Sequence, residues 1–287
     1  MRIILVIVMA AFVAAQPAVG QTGGNGLVGS AFEYTVQAGD SLRRLAARFG
    51  VPVQTLATMN GRGVRDVLHP GDRLVVDNRH IVPGDPAVPL LLNIPQRLLY
   101  LRSGTEVRVY PMAVGTSGWP TPAGAFHIVD KEERPTWDVP VSIQEEMRQQ
   151  GRPVLTRVAP GPENPLGAYF IRLSFSGIGI HGTNAPASIY QFATHGCVRL
   201  SPADIADLYP RVEIDMRGLA IYEPVLMTVS DGRIWLEVHP DVYRRAPAAL
   251  KTVTAIASAL GVRERMDWTL AADAVRRPAG IAVDVTR

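Results

Sequence analysis

Cysteine is almost absent from this chain: Cys197 is the only one in 287 residues. That excludes a disulfide framework and leaves one thiol with no intramolecular partner. Charge of one sign is lacking as well, because 29 Lys and Arg stand against 26 Asp and Glu. So small an excess does not argue for nucleic acid, although it favours a carboxylate-rich polymer over a cationic one. Long apolar runs are missing except at the start, where residues 3–15 carry no charge. That run falls short of the roughly 20 residues a spanning helix needs. Preceded by Arg2 and followed by Ala18, Val19 and Gly20, it reads as a secretory signal peptide over residues 1–20, with no membrane span left after cleavage. No cysteine stands near the cleavage region, which excludes acyl-lipid attachment there. In an oxidising compartment an unpaired thiol is a liability, so Cys197 is better understood as a reagent than as a packing residue.

What remains suggests two domains on a prior of ~100–200 residues each. Residues 21–33 are Gly-rich and polar and read as a flexible tether. Residues 34–77 show a compact βααβ order. Tyr34, Thr35 and Val36 are extended, and a helix with the apolar face Leu42, Leu45, Ala46 and Phe49 ends at Gly50. A second short helix over 53–59 stops at Asn60 and Gly61, and a turn at Pro70, Gly71 and Asp72 leads into a strand at 73–76. Residues 78–88, with Pro83, Gly84 and Pro86, read as a linker.

Beyond it the pattern turns to strands, at 90–94, 97–101, 107–110, 125–129 and 169–173. They predict a mainly β domain of antiparallel sheets, sandwich-like, over residues 89–223. A short polar helix is expected at 143–150, on a flap. Residues 224–287 read as a helical C-terminal extension: a hairpin of strands at 225–229 and 234–238 turning at Asp231 and Gly232, then helices over 246–260 and from about Asp267, and a final extended piece at 280–285.

The chemistry gathers near the middle of the β domain. Gly177, Gly179, Gly182 and Gly196 crowd a segment holding His181, His195 and Cys197, and glycine lets backbone approach a ligand. Ser201, Pro202 and Asp204 then open an apolar-periodic run as N-cap, first-turn proline and first-turn acid, so the thiol sits just upstream of a helix. A thiol is a weak nucleophile until a base removes its proton, and an imidazole is the usual one. Ile180-His181-Gly182-Thr183-Asn184, followed by Thr194-His195-Gly196-Cys197-Val198-Arg199-Leu200, resembles the signature of the YkuD-type L,D-transpeptidases. Tyr34-Thr35-Val36-Gln37-Ala38-Gly39-Asp40-Ser41-Leu42 and Leu68-His69-Pro70-Gly71-Asp72-Arg73-Leu74 resemble the opening and closing of a LysM domain.

The first resemblance implies a peptidoglycan L,D-transpeptidase with Cys197 as nucleophile, His181 as its base and His195 ordering the loop. Arg199, Thr194, Gly182 and Gly196 are then expected at the substrate, with the carbonyl of Gly182 orienting His181 and N–H groups from 195 to 197 forming an oxyanion site. Cys197 would form a thioester with the meso-diaminopimelate carbonyl of a tetrapeptide stem, expelling D-alanine, before an amine of a second stem or a wall-anchored protein takes the acyl group. No cofactor and no metal is called for. A base beside the thiol leads to the expectation of appreciable thiolate at neutral pH.

The second resemblance implies glycan binding at Gly39, Asp40, Ser41, Asn60 and Gly61. The partners would be peptidoglycan glycan strands and stem peptides, in the periplasm or cell envelope. The LysM unit is expected to tether the enzyme without touching its chemistry. Residues 118–124 and 161–167 resemble family segments that shape the cleft. Tyr190, Gln191 and Phe192 replace a spacer that usually begins with glycine and are expected at the cleft mouth. His69, His80, His127 and His239 read as structural or exposed.

Other readings stay open at this point. A metal hydrolase with His181, His195 and Cys197 as ligands lacks any characteristic spacing. A purely binding protein gives no reason to keep the thiol, and water as acceptor would make the chain an L,D-carboxypeptidase.

Overall fold

The computed structural model describes residues 26–287; the signal peptide expected over residues 1–20 lies outside them. Among the described residues no helix is long and apolar enough to cross a membrane.

Of the flexible tether expected over residues 21–33, residues 21–25 lie outside the described residues and most of the rest is strand: β1 (Leu27–Val28) pairs with β4 (His80–Ile81), and β2 (Ala31–Thr35) pairs with β3 (Arg73–Asp77). Val28 and Ile81 are buried, so both ends of the small unit are fastened down. Between β2 and β3 lie α1 (Leu42–Phe49) and α2 (Val53–Met59). Ser41 caps α1 by accepting from the Arg44 N–H, and Gly50 closes it in the left-handed region at φ 68°. Leu42, Leu45, Ala46, Leu56 and Leu74 form the core of this unit.

The β domain is built from β5 (Leu90–Asn93), β6 (Leu98–Ser103), β7 (Glu106–Gly115) and β8 (Gly124–Glu133). An excursion follows, carrying β9 (Trp137–Asp138), α3 (Val141–Gln149) and β10 (Arg157–Val158). Then come β11 (Tyr169–Leu173), β12 (Gly179–His181), β13 (Phe192–Thr194), β14 (Val198–Leu200), α4 (Pro202–Leu208) and β15 (Arg217–Ile221). The expected antiparallel sandwich is not what forms. One mixed sheet closes on itself in the order β7, β14, β12, β11, β8, β15, β5, β6 and back to β7, with β13 beside the end of β7. Three pairs are parallel: β12 with β14, β13 with β7, and β15 with β5. Alternation of side chains tells which face a residue takes but not which strand lies next to it, and closure removes exposed edges that an open sandwich would leave.

Inside the closed sheet sit Met112, Ile128, Ile171, Ile180, Val198 and Leu200, joined by Ile205 and Leu208 of α4. Their neighbours in sequence, Arg172, His181 and Arg199, therefore take the outer face.

The C-terminal part holds the expected hairpin, helices and final extended piece, with that last piece paired to the hairpin. β16 (Val225–Ser230), β17 (Arg233–Val238) and β18 (Ala282–Asp284) make a three-stranded sheet packed by α5 (Ala249–Ala259) and α6 (Trp268–Arg276). Ile281, just before β18, enters the core of the small N-terminal unit, and Thr55 Oγ1 donates to the Ala279 carbonyl at 2.6 Å. The stretch expected as a linker is buried at His80. There Glu237 of β17 accepts from His80 Nδ1 (2.8 Å), His239 Nε2 (2.7 Å), Gln96 Nε2 (2.9 Å) and the Ile81 N–H (2.6 Å). His80 Nε2 donates to the Gly50 carbonyl at 3.0 Å, so one buried cluster joins all three parts of the chain.

Candidate active site

The parallel pairing of β12 and β14 sets His181 opposite Arg199 and Ile180 opposite Val198. One step back, Cys197 comes level with Gly179, whose backbone favours the thiolate. Two rows therefore cross the outer face. Arg172, Gly179 and Cys197 make the first, and Phe170, His181 and Arg199 the second. Cα atoms on neighbouring strands lie about 4.8 Å apart and residues two along a strand about 7 Å apart, which is within side-chain reach of one another.

His181 is buried and its Nδ1 meets the Gly182 carbonyl at 2.7 Å. A carbonyl only accepts, so Nδ1 carries the proton and Nε2 is left as the unprotonated nitrogen. Burial, and then the charge of Arg199, push the imidazole down to about 4. Phe170 stacks on the ring at 6.2 Å between centroids. Gly182 is closely packed: a Cβ there would lie 3.2 Å from Ile205 and 3.3 Å from the Leu166 carbonyl.

Cys197 is partly exposed, with Sγ 3.6 Å from the Gly177 carbonyl. Burial pushes the thiol up, against the lowering effects of the Gly179 backbone, Arg199 and Arg172. The expectation of a resting thiolate is thus overturned, because desolvation outweighs the neighbouring cations. The pair rests as neutral thiol and neutral imidazole.

The turn before the thiol is tightly held. Thr194 Oγ1 donates to the Cys197 carbonyl at 2.6 Å and accepts from the Gly196 N–H at 3.2 Å. Its hydroxyl is engaged within the turn, so Thr194 shapes the loop, and it holds the Gly196 N–H of the expected oxyanion site. Gly196 adopts φ 105°, and a Cβ there would sit 2.9 Å from Ile178. The Gly196 carbonyl accepts from Thr121 Oγ1 at 2.8 Å, which ties the segment 118–124 to the loop.

His195 is displaced from the other two. Its Nε2 meets Glu146 Oε2 of α3 at 2.8 Å, and its ring lies against Trp119 at 5.3 Å. Arg199 donates from Nη1 to Ser188 Oγ at 2.8 Å, while its buried Nε has no partner. Among the described residues no group of His, Cys, Asp or Glu is placed to hold a metal ion. Trp119 belongs to the segment 118–124 expected at the cleft, whereas Glu146, Ser188 and Arg172 have no sequence signal of their own, and only the folded chain brings Glu146 and Arg172 to the loop.

One expected feature moves. Tyr190, at φ 62°, is buried beside Leu98 and Tyr100 with Arg97 over its ring at 4.3 Å, so it packs on the outside of the closed sheet. The segment 161–167 borders the stretch that follows His181, lining with Gly182, Thr183 and Arg134 a cavity of about 340 Å³.

In the small unit most of the expected glycan contacts have structural duties. Asp40 accepts from the Tyr34 hydroxyl and the Gln37 N–H, Ser41 is the cap, and Asn60 bonds Leu56 and Val75. The two loops meet through Asp72, which bonds Val36 on one side and Arg62 on the other. Gly39 offers its carbonyl to Arg44, and Gly61 has open space around its Cα.

Residues 89–230 match the L,D-transpeptidase catalytic domain of YkuD type, and residues 34–77 match the LysM domain. The probable L,D-transpeptidase ErfK/SrfK of Escherichia coli is 32% identical over 229 residues, 77% of this chain and 73% of its own. Its Salmonella typhimurium counterpart is 34% identical over the same shares. The chain belongs to the L,D-transpeptidase family. The probable L,D-transpeptidase YbiS of Escherichia coli is 32% identical over 76% of this chain and 73% of its own. An L,D-transpeptidase is a transferase, and the LysM and catalytic domains together imply peptidoglycan binding.

Proposed function

We propose that this L,D-transpeptidase works through Cys197 as acyl-accepting nucleophile and His181 as base. The observation that carries the reading is the bond from His181 Nδ1 to the Gly182 carbonyl, which leaves Nε2 unprotonated on the same outer face as the thiol. As Cys197 Sγ attacks the meso-diaminopimelate carbonyl of a tetrapeptide stem, its proton passes to His181 Nε2 and then to the departing amine of D-alanine. The thioester is next attacked by an amine, whose proton returns through His181 to the thiol as the new amide forms. Because the resting pair is neutral, deprotonation accompanies attack and does not precede it. Burial near Arg199 keeps His181 from holding a proton at rest, so the base is free at neutral pH.

With the Gly196 N–H engaged by Thr194, the N–H groups of Cys197 and His195 are the remaining loop donors for the oxyanion. His195, held by Glu146 and Trp119, orders the loop. The LysM domain holds glycan strands through loop backbone around Gly39 and Gly61, in the cell envelope, with a stem amine or a wall-anchored protein as acceptor.

The test is incubation of the mature protein with tetrapeptide muropeptides, read by mass spectrometry. Cross-linked dimers with released D-alanine support the reading. D-alanine release without dimers would replace it by a carboxypeptidase, and an unchanged substrate by a binding protein.

A further inference from the structure

The row that holds the thiol ends in an unused cation. Arg172 of β11 pairs in register with Gly179 of β12, and Gly179 stands level with Cys197, so guanidinium and thiol flank a residue with no side chain. The Phe170 ring takes the place that a side chain there would fill: a Cβ at Gly179 would lie 2.4 Å from Phe170 Cζ and 2.8 Å from its Cε2, and Phe170 is itself stacked on His181.

The Arg172 guanidinium lies over the Phe170 ring at 5.3 Å, and among the described residues it makes no ion pair or hydrogen bond. Asp130 of β8 is its register partner on the other side, yet the two carry no salt bridge. Its charge reaches the reacting group, since Arg172 is among the causes that favour the thiolate of Cys197. Arg199, the other cation of the face, has a head already engaged by Ser188.

We propose that Arg172 is a specificity-determining residue that receives a carboxylate of the acyl-donor peptide. Two strand spacings, about 10 Å between Cα atoms, separate it from Cys197. Spanned by an arginine reaching inward and a carbonyl seated on Sγ, that separation suits a carboxylate a few bonds from the attacked carbon. Both the terminal carboxylate and a side-chain carboxylate of the attacked residue meet this description, and guanidinium binds either in the same forked geometry. The proposal rests on the acyl-transfer reading for the identity of the donor, but the anion site itself does not.

Alkylation of Cys197 in the full chain by iodoacetate and by iodoacetamide tests the site without any peptide. The ratio of the anionic to the neutral rate should fall about threefold or more in Arg172→Ala and be largely kept in Arg172→Lys, as loss of a nearby exposed charge predicts. With tetrapeptide donors, Arg172→Ala should raise KM about tenfold, the usual worth of one charge-assisted contact, with kcat little changed. A donor amidated at the carboxylate that Arg172 binds should lose this sensitivity, which tells terminal from side-chain carboxylate. If both alkylating agents slow equally, or only the pH profile of alkylation moves, Arg172 merely tunes the thiol and the proposal fails. If the wild type turns over no donor while the iodoacetate preference depends on Arg172, the acyl-transfer reading fails and the anion site stands.

Discussion

Two polar clusters, each built around histidine, leave their side chains in opposite conditions. At the domain junction Glu237 is enclosed by His80, His239, Gln96 and the Ile81 N–H, so its two oxygens meet four donors. Although burial alone would push this carboxyl up, His80 and His239 hold it well below the usual carboxylate range. Around Cys197 the polar groups are left short of partners. Arg199 keeps an unpaired buried Nε, His181 makes one bond and Cys197 a long one. A cluster whose valences are filled has structure as its work, and one whose valences stay open awaits a ligand or a reaction. At the junction His239 Nδ1 departs from this, as do Arg97 Nε and the Tyr190 hydroxyl beside it.

The sharpest way to break the comparison is to remove the centre of each cluster in turn. Cys197→Ala should abolish turnover, by at least about 10⁴-fold for loss of a nucleophile, and leave the urea midpoint close to wild type. Glu237→Leu should do the reverse: stability falls by roughly 3–5 kcal/mol, because two histidines and an amide lose their buried partner. Activity per folded molecule should persist. A Glu237→Leu protein as stable as wild type would refute the structural role.

Excising residues 34–77 comes next in size. The LysM unit was expected to be a tether, removable without cost to the chemistry. Its α1 instead covers Leu91, Leu98 and Tyr100 on the outside of the closed sheet, and its core receives Ile281. Exposing these side chains should lower the stability of the remainder by at least about 3 kcal/mol, read from denaturant midpoints. Unchanged midpoints would restore the tether.

The two clusters also differ in how far they can be read from the sequence. His181, His195 and Cys197 declare themselves because they sit close together in sequence among glycines, and the Ser201-Pro202 start of α4 and the Gly50 end of α1 are local signals that local geometry obeys. Glu237 and His80 are 157 positions apart, and nothing near either marks a partner. For the same reason strand positions were legible while the mixed, closed order of the sheet was not, and Tyr190 looked like a cleft residue until its packing beside Tyr100 was seen. The resting state of the thiol depended on burial, which proximity in sequence does not report.

A pH series separates the clusters further. The folded-state value of about 4 for His181 lies below the ~6.5 of an unfolded histidine, so its contribution to stability is present above pH ~6.5 and is lost as pH falls towards 4. That is a loss of about 2–3 kcal/mol, absent in His181→Asn. Glu237 is also depressed, so its share survives to lower pH, failing only below the ~4.3 of a free glutamate. Since neutral His181 is the base, kcat/KM should stay level on its acid side until pH nears 4, and an acid limb near 6.5 would mean that the ring is not desolvated in the working enzyme.

The smallest effect should come from the contact between the flap and the loop. Glu146 of α3 meets His195, and the pair is partly exposed on both sides, at 35% for His195 and 45% for Glu146. Exposed pairs of this kind contribute about 0–1 kcal/mol, so Glu146→Gln should leave the melting temperature within error. What it can change is the freedom of the His195 ring, which Trp119 alone would then restrain. If His195 orders the loop, acylation should slow by less than about fivefold, the rate equivalent of such a contact. The alkylation profile of Cys197 against pH should stay in place, because His181 and not His195 is the base. His195→Ala should slow acylation further and likewise leave that profile unmoved. A profile displaced in both variants, with acylation kept in His181→Ala and lost in His195→Ala, would transfer the role of base to His195 and make the Glu146 contact part of the catalytic machinery.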